Sequence, residues 1–227
     1  MAALQFRAMT LAAGLVGWSA LIGPRLPARV QPVVHAVLGG VLAVSVRAPL
    51  GLRPPQLWAG LRLGVAAATS VVIGVAVSTA TPPVRSAMAR RDLPASAALW
   101  LVLRIPVGTV WSEEAAYRAA LGTVAADAFG PALGRLVQSL AFGLSHIADA
   151  RGAGEPVLPT VLVTGAAGWV FAMLRERSGS LLAPMLAHLA INEAGAIAAI
   201  SVQHRGDLRV DGALADLSAP QVFAHHR

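Results

Sequence analysis

The sequence predicts an all-α membrane protein, a polytopic transmembrane helix bundle of about eight helices with a polar cavity inside the bundle. Hydrophobic residues make up 56% of the chain and charged residues only 13%, with a mean hydropathy of +0.66. That is too little polar surface for a soluble domain of 227 residues, so lipid is the natural solvent. Apolar stretches near spanning length also recur from end to end, separated by short loops rich in Arg and Pro. Finally, the few ionisable residues inside those stretches gather in the second half of the chain.

The apolar segments run over Ala8–Gly23, Val30–Val46, Leu61–Ala80, Ala95–Trp111, Leu133–Ala148, Val157–Leu174 and Leu181–Val202, with a weaker one near Ala119–Phe129. Arg7 ahead of the first segment resembles the start of a signal peptide. No small-residue cleavage pattern follows, and Gly23 to Arg29 reads as a loop, so the segment counts as a helix. Ala48–Gln56 and Thr81–Pro94, rich in Pro and Arg, read as turns between spans. The chain therefore divides into N-terminal helices (1–94), a membrane core (95–202) and a polar tail (203–227). The tail's His225-His226-Arg227 could bind a metal weakly, but an unstructured end is the simpler reading. Arg7, Arg47, Arg53 and Arg62 fall on one side of the membrane, and Arg25, Arg29, Arg85, Arg90 and Arg91 on the other. The near balance leaves orientation open.

With no cysteine, a disulfide framework, thiolate zinc ligation and a cysteine nucleophile are all excluded. The net charge of +7 and pI near 11.6 would suit a nucleic-acid partner. The basic residues are all Arg, however, and sit at segment ends and loops as headgroup anchors, so nucleic acid is not expected as a partner.

Charge inside a membrane segment is costly, so the clusters that exist are candidate functional groups. The first is Glu113-Glu114-Ala-Ala-Tyr117-Arg118. On a helix, Glu114 and Arg118 are four apart and can pair, whereas Glu113 lies about 100° round and shares its face with Tyr117. A headgroup-level salt bridge would need only one carboxylate. The doubled Glu points instead to one held ionised and one left to take protons. The second cluster is Phe142-Gly-Leu-Ser-His146, with Phe142 and His146 on one helical face and Asp149 just beyond as an interface marker. The third is His188-Leu-Ala-Ile-Asn192, followed by Glu193, which points away from His188 to a partner elsewhere in the bundle. Singly, each His is most simply a hydrogen-bonded core residue and Asn192 a helix–helix tie. Together the three groups make one buried polar site. Such a site could activate water with a Glu base, a His that holds the water and a His-Asn pair facing an oxyanion. Equally, Glu113, His146 and His188 could hold Zn²⁺ with one open position.

Glu113-Glu114-x-x-x-Arg118, Phe142-x-x-x-His146 and His188-x-x-x-Asn192, in that order on successive apolar segments, resemble the CAAX protease and bacteriocin-processing (CPBP or ABI) family of intramembrane peptidases. The likeness covers about Ser112 to Ala194, including the Ser180–His188 lead-in with Pro184. It implies a helical fold with a water-filled cavity, and proteolysis near the membrane-facing end of a substrate. It assigns Glu113 and His146 to the attacking water, His188 and Asn192 to the oxyanion, and Glu114 and Arg118 to support.

An intramembrane endopeptidase working on a peptide or membrane-protein substrate is therefore the expected function. The alternatives are a non-proteolytic scaffold or bacteriocin-immunity protein and, less in keeping with a chain that shows no repeated halves, a proton-coupled transporter. The composition suggests a bacterial cell membrane, where prenylated substrates are not expected. Substrate identity, the choice between metal and metal-free chemistry, and oligomeric state are not fixed by sequence. Arg104, two residues before Pro106, reads as a counter-charge in the cavity, a snorkelling side chain or the mark of a helix break.

Overall fold

The computed structural model describes the backbone of residues 1–218 and the side chains of residues 1–206, so His225-His226-Arg227 lie outside the described residues. Among the described residues every regular element is helical. Helix α1 (Ala2–Gly17) runs on through Trp18–Ile22 and Gly23–Arg25. It is followed by α2 (Gln31–Ser45), α3 (Gln56–Thr79) and the short α4 (Pro82–Ala89). Helix α5 is one continuous run that starts as Ala97–Leu99, widens over Trp100–Trp111 and again over Glu114–Leu121, and ends as Gly122–Phe129. Helix α6 (Pro131–Ser145), a helical turn at Ile147–Gly152, α7 (Val157–Ser178) and α8 (Leu182–Ser218) complete the chain.

The stretches Ala2–Arg25, Gln56–Thr79, Val157–Ser178 and Leu182–Gly206 are long and apolar enough to cross a bilayer. At 15 residues each, α2 and α6 span about 22 Å and stop short of a full hydrocarbon thickness. Three expectations need correction. Thr81–Pro94 is not all turn, because Pro82 and Pro83 open a helix from its first positions, where a missing N–H costs nothing. Pro106 does not break α5. A wider turn accommodates the ring that an α-helical turn would clash with, and the helix continues. The polar tail begins as helix, since α8 carries on through Gln203 to Ser218.

The packing is inverted relative to a soluble protein. Buried apolar positions are mostly alanine (Ala8, Ala12, Ala43, Ala115, Ala119, Ala125), while Val33, Val37, Val41 and Val44 of α2 and Leu136, Leu140 and Leu144 of α6 face outward. Lipid is as apolar as a leucine side chain, so nothing drives large residues inward, and small ones let backbones approach. These outward stripes and the four long helices make this an integral membrane protein.

Helix α5 is the axis of the bundle. Its wide turn Glu114–Leu121 is buried at every residue. Ala12 and Leu15 of α1 with Phe142 of α6 pack on Ala116, Tyr117 and Leu121, while Ala43 of α2 and Leu181 pack on Ala115 and Ala119. Helix α8 lies along α3 at close range: a Cβ built on Gly60 would stand 2.6 Å from the Cβ and Oγ of Ser180, and one on Gly64 would stand 3.0 Å from the Ala183 Cα. The turn before α8 is tied to the α2–α3 loop, with Leu181 N–H donating to the Leu50 carbonyl at 2.8 Å and Arg175 Nη2 to the Pro49 carbonyl at 3.2 Å.

Ser180 is wholly buried and cannot yield, so Gly60→Ala should destabilise the protein by about 1–3 kcal/mol in a thermal melt in detergent. On the same helix a Cβ at Gly74 meets nothing within 4 Å, and Gly74→Ala should leave the melt unchanged or raise it. Equal melts for the two variants would show that α3 and α8 are not in this contact.

Candidate active site

The polar residues of α5 and α8 meet on one carboxylate. Glu114 has no exposed surface. Its Oε1 accepts a 2.8 Å hydrogen bond from His188 Nδ1, and its Oε2 stands 3.3 Å from Arg118 Nε one turn along α5. Arg118, 1% exposed, has its guanidinium carbon 3.8 Å from the Phe142 ring centre and 5.0 Å from that of Phe171. Phe171 also stacks on the His188 imidazole, with centres 4.9 Å apart at 25°. The aromatic faces supply favourable electrostatics to a cation that water cannot reach, and the ion pair supplies its counter-charge.

This arrangement selects the His188 tautomer. An ionised carboxylate only accepts, so the proton sits on Nδ1, and Nε2 is left facing Glu113, whose Oε2 is 3.8 Å away. That gap is too long for a direct hydrogen bond and short enough for one water to touch both atoms. Glu113 differs sharply from its neighbour. Its side chain is 27% exposed, and it lines an open pocket of about 1110 Å³ together with Ser112, Tyr117, His35 and Asp149. Burial pushes the Asp149 carboxyl up from the ordinary range, opposed by the nearby His146.

His146 occupies the break between α6 and the next helical turn, beyond the helix end at Ser145. Its Nδ1 donates to the Phe142 carbonyl at 2.7 Å, which leaves Nε2 basic. Its ring meets Phe142 edge to face at 4.7 Å, and His188 meets the same ring at 6.1 Å. The two imidazoles thus flank one phenyl ring. Asn192 donates one amide N–H to the His188 carbonyl at 3.1 Å, holding its side chain against its own helix and leaving a second N–H.

Two sequence expectations change here. Among the described residues Glu193 shows no pairing in the bundle, and its buried Oε1 has no hydrogen-bond partner. Arg104 does not line the pocket that Glu113 opens onto. Among the described residues no three His, Asp or Glu side chains converge as a metal-holding set. Glu113, His146 and His188 as placed are not such a set.

Some site residues carried no signal in the sequence. Phe171 of α7, which belongs to none of the three motifs, supports both Arg118 and His188. His35 reaches the pocket because α2 lies flush on α5: a Cβ on Gly39 would stand 2.6 Å from the Ser112 carbonyl oxygen, and His35 is one turn away.

The helical bundle thus brings one buried and one pocket-facing carboxylate together with the His188 imidazole. Residues 95–194 match the family model of the Rce1-like type II CAAX prenyl endopeptidases, and this segment contains all three motifs. The matched segment is less than half of the chain, and over it the chain is similar to the CAAX protease family. No curated protein and no solved structure matches the chain.

Glu114→Gln strips Arg118 and His188 of their shared partner and should cost about 3–5 kcal/mol of stability. Glu113→Gln, at the pocket wall, should leave the melt within about 0.5 kcal/mol. Thermal melts of the two variants in one detergent check this, and an equal loss in both would reverse the roles given to the two carboxylates.

Proposed function

We propose that the chain is an intramembrane endopeptidase in which Glu113 and the histidines activate a water. The observation that carries this reading is the facing pair of Glu113 Oε2 and His188 Nε2 at 3.8 Å, beside an open pocket, with the His188 tautomer held by Glu114. The family match supports a protease.

A water at the Glu113 carboxylate gives up its proton to Glu113 as its oxygen adds to the scissile carbonyl carbon. The basic Nε2 atoms of His188 and His146 accept hydrogen bonds from that water and orient it. The second N–H of Asn192 donates to the oxyanion, and the proton on Glu113 then passes to the departing amine. Glu114 and Arg118 take no part in the proton traffic. They hold His188, and the substrate is a peptide or membrane-protein segment that reaches the pocket.

The purified protein in detergent should cleave members of a peptide library supplied with and without a prenylated cysteine, and Glu113→Gln should abolish turnover. Cleavage that persists in chelator supports the metal-free assignment. Loss restored by zinc would replace it with ligation by Glu113, His146 and His188. A wild-type protein that cleaves nothing would remove the peptidase reading and leave a scaffold.

Asn192→Ala should lower turnover about a hundredfold with little change in KM. If Asn192 only ties helices, its loss should instead cost roughly 1 kcal/mol of stability with turnover kept. Melt and turnover measured on one preparation decide, and a variant that melts early but cleaves normally would defeat the oxyanion role.

A further inference from the structure

Tyr117 is the only tyrosine in the chain. It is 4% exposed, its ring packs edge to face on Phe142 at 5.2 Å, and its hydroxyl has no hydrogen-bond partner. The hydroxyls of Ser19 and Ser145 approach it without forming a bond of normal geometry. Ser145 donates its own proton to the Phe142 carbonyl at 2.7 Å, so toward Tyr117 it can act only as an acceptor. A buried phenol normally finds a partner, because an unmet hydroxyl is costly to bury. Phenylalanine would fill the same packing site without that cost.

Several nearby donors are engaged, although the Arg118 guanidinium, paired with Glu114 only at salt-bridge distance, makes no hydrogen bond. His188 Nδ1–H serves Glu114, His146 Nδ1–H serves the Phe142 carbonyl, and one Asn192 N–H serves the His188 carbonyl. Tyr117 follows Glu113 by one turn of α5, and both residues line the same pocket. A carbonyl attacked at Glu113 would develop its negative charge about one helical turn from this buried hydroxyl.

We propose that Tyr117 is a further catalytic residue, donating its hydroxyl to the oxyanion of the tetrahedral intermediate. The inference rests on the endopeptidase reading above. When water adds to the carbonyl carbon and its proton goes to Glu113, the π pair moves onto the carbonyl oxygen, and Tyr117 O–H donates to that oxygen while keeping its own proton. The pair then returns, the C–N bond breaks, and the amine leaves with the proton from Glu113. Tyr117 forms no covalent bond in the cycle.

The test uses the full chain in detergent and a peptide that the wild type cleaves, with kcat, KM and thermal melt measured on one preparation. Tyr117→Phe should lower kcat about a hundredfold, with KM and the melting temperature unchanged. A variant that keeps wild-type kcat overturns the proposal, and an earlier melt alongside it would assign the hydroxyl to a tie between Ser19 and Ser145. Because there is one tyrosine, growth on fluorotyrosines alters position 117 alone. At a pH where the phenol stays protonated, kcat should rise with its acidity, and a flat response overturns the proposal even where Tyr117→Phe does not fold. Glu113→Gln is the control: if it is inactive while Tyr117→Phe is fully active, the Tyr117 assignment alone fails. A wild type that cleaves no peptide ends both readings.

Discussion

One buried negative charge organises this molecule. Glu114 sits at the centre of the most buried turn of the axial helix, and ionised in such a place it is tolerable only with close, well-placed partners. Arg118 on one side and His188 Nδ1 on the other meet that demand. The aromatic faces of Phe142 and Phe171 close around the guanidinium and against the imidazole. Helices α5, α6, α7 and α8 are thereby committed to one mutual arrangement. Glu113, one residue earlier, inherits a fixed position while keeping an open face, which is what a proton acceptor beside a pocket requires.

Around that centre the bundle relies on closeness more than on bulk. Alanine and glycine line the contacts of α5 with α1 and α2 and of α3 with α8, and the large apolar side chains are spent on lipid. Close backbones matter for chemistry because they reduce the freedom of every residue mounted on them. The Gly39–Ser112 approach sets how far α2 stands from the pocket, and the ties from Leu181 and Arg175 to the α2–α3 loop set where α8 begins, two turns before His188. The N-terminal helices, which lie outside the matched segment, thus share in shaping the site.

The membrane character and helical class were legible in the sequence because a hydrophobic stretch long enough to span is a one-dimensional property. So was the grouping of Glu114 with Arg118, of Phe142 with His146 and of His188 with Asn192, since a four-residue spacing on a helix is already a spatial statement. What was not legible depends on neighbours in space. Phe171 meets Arg118 and His188 only through the packing of α7 on α5 and α8, and His35 reaches the pocket only through the seating of α2. Nor could spacing show that Asn192 would bond its own helix or that Glu193 Oε1 would find no partner among the described residues. Helix α4 was hidden for a different reason: prolines that end helices also begin them.

The bond between Glu114 and His188 joins residues 74 positions apart, and this bears on how the chain is made. During synthesis α5 leaves the ribosome carrying Glu113, Glu114 and Arg118, each unwelcome in hydrocarbon. At about 5–20 residues per second, the imidazole that completes the site arrives some 4–15 seconds later. Until then α5 is a poor candidate for lateral release into lipid, with only its own arginine as counter-ion. Commitment of the axial helix to the bilayer is thereby linked to the arrival of α8, so a nascent chain truncated before α8 exposes an unfinished charge to the cell's quality-control proteases.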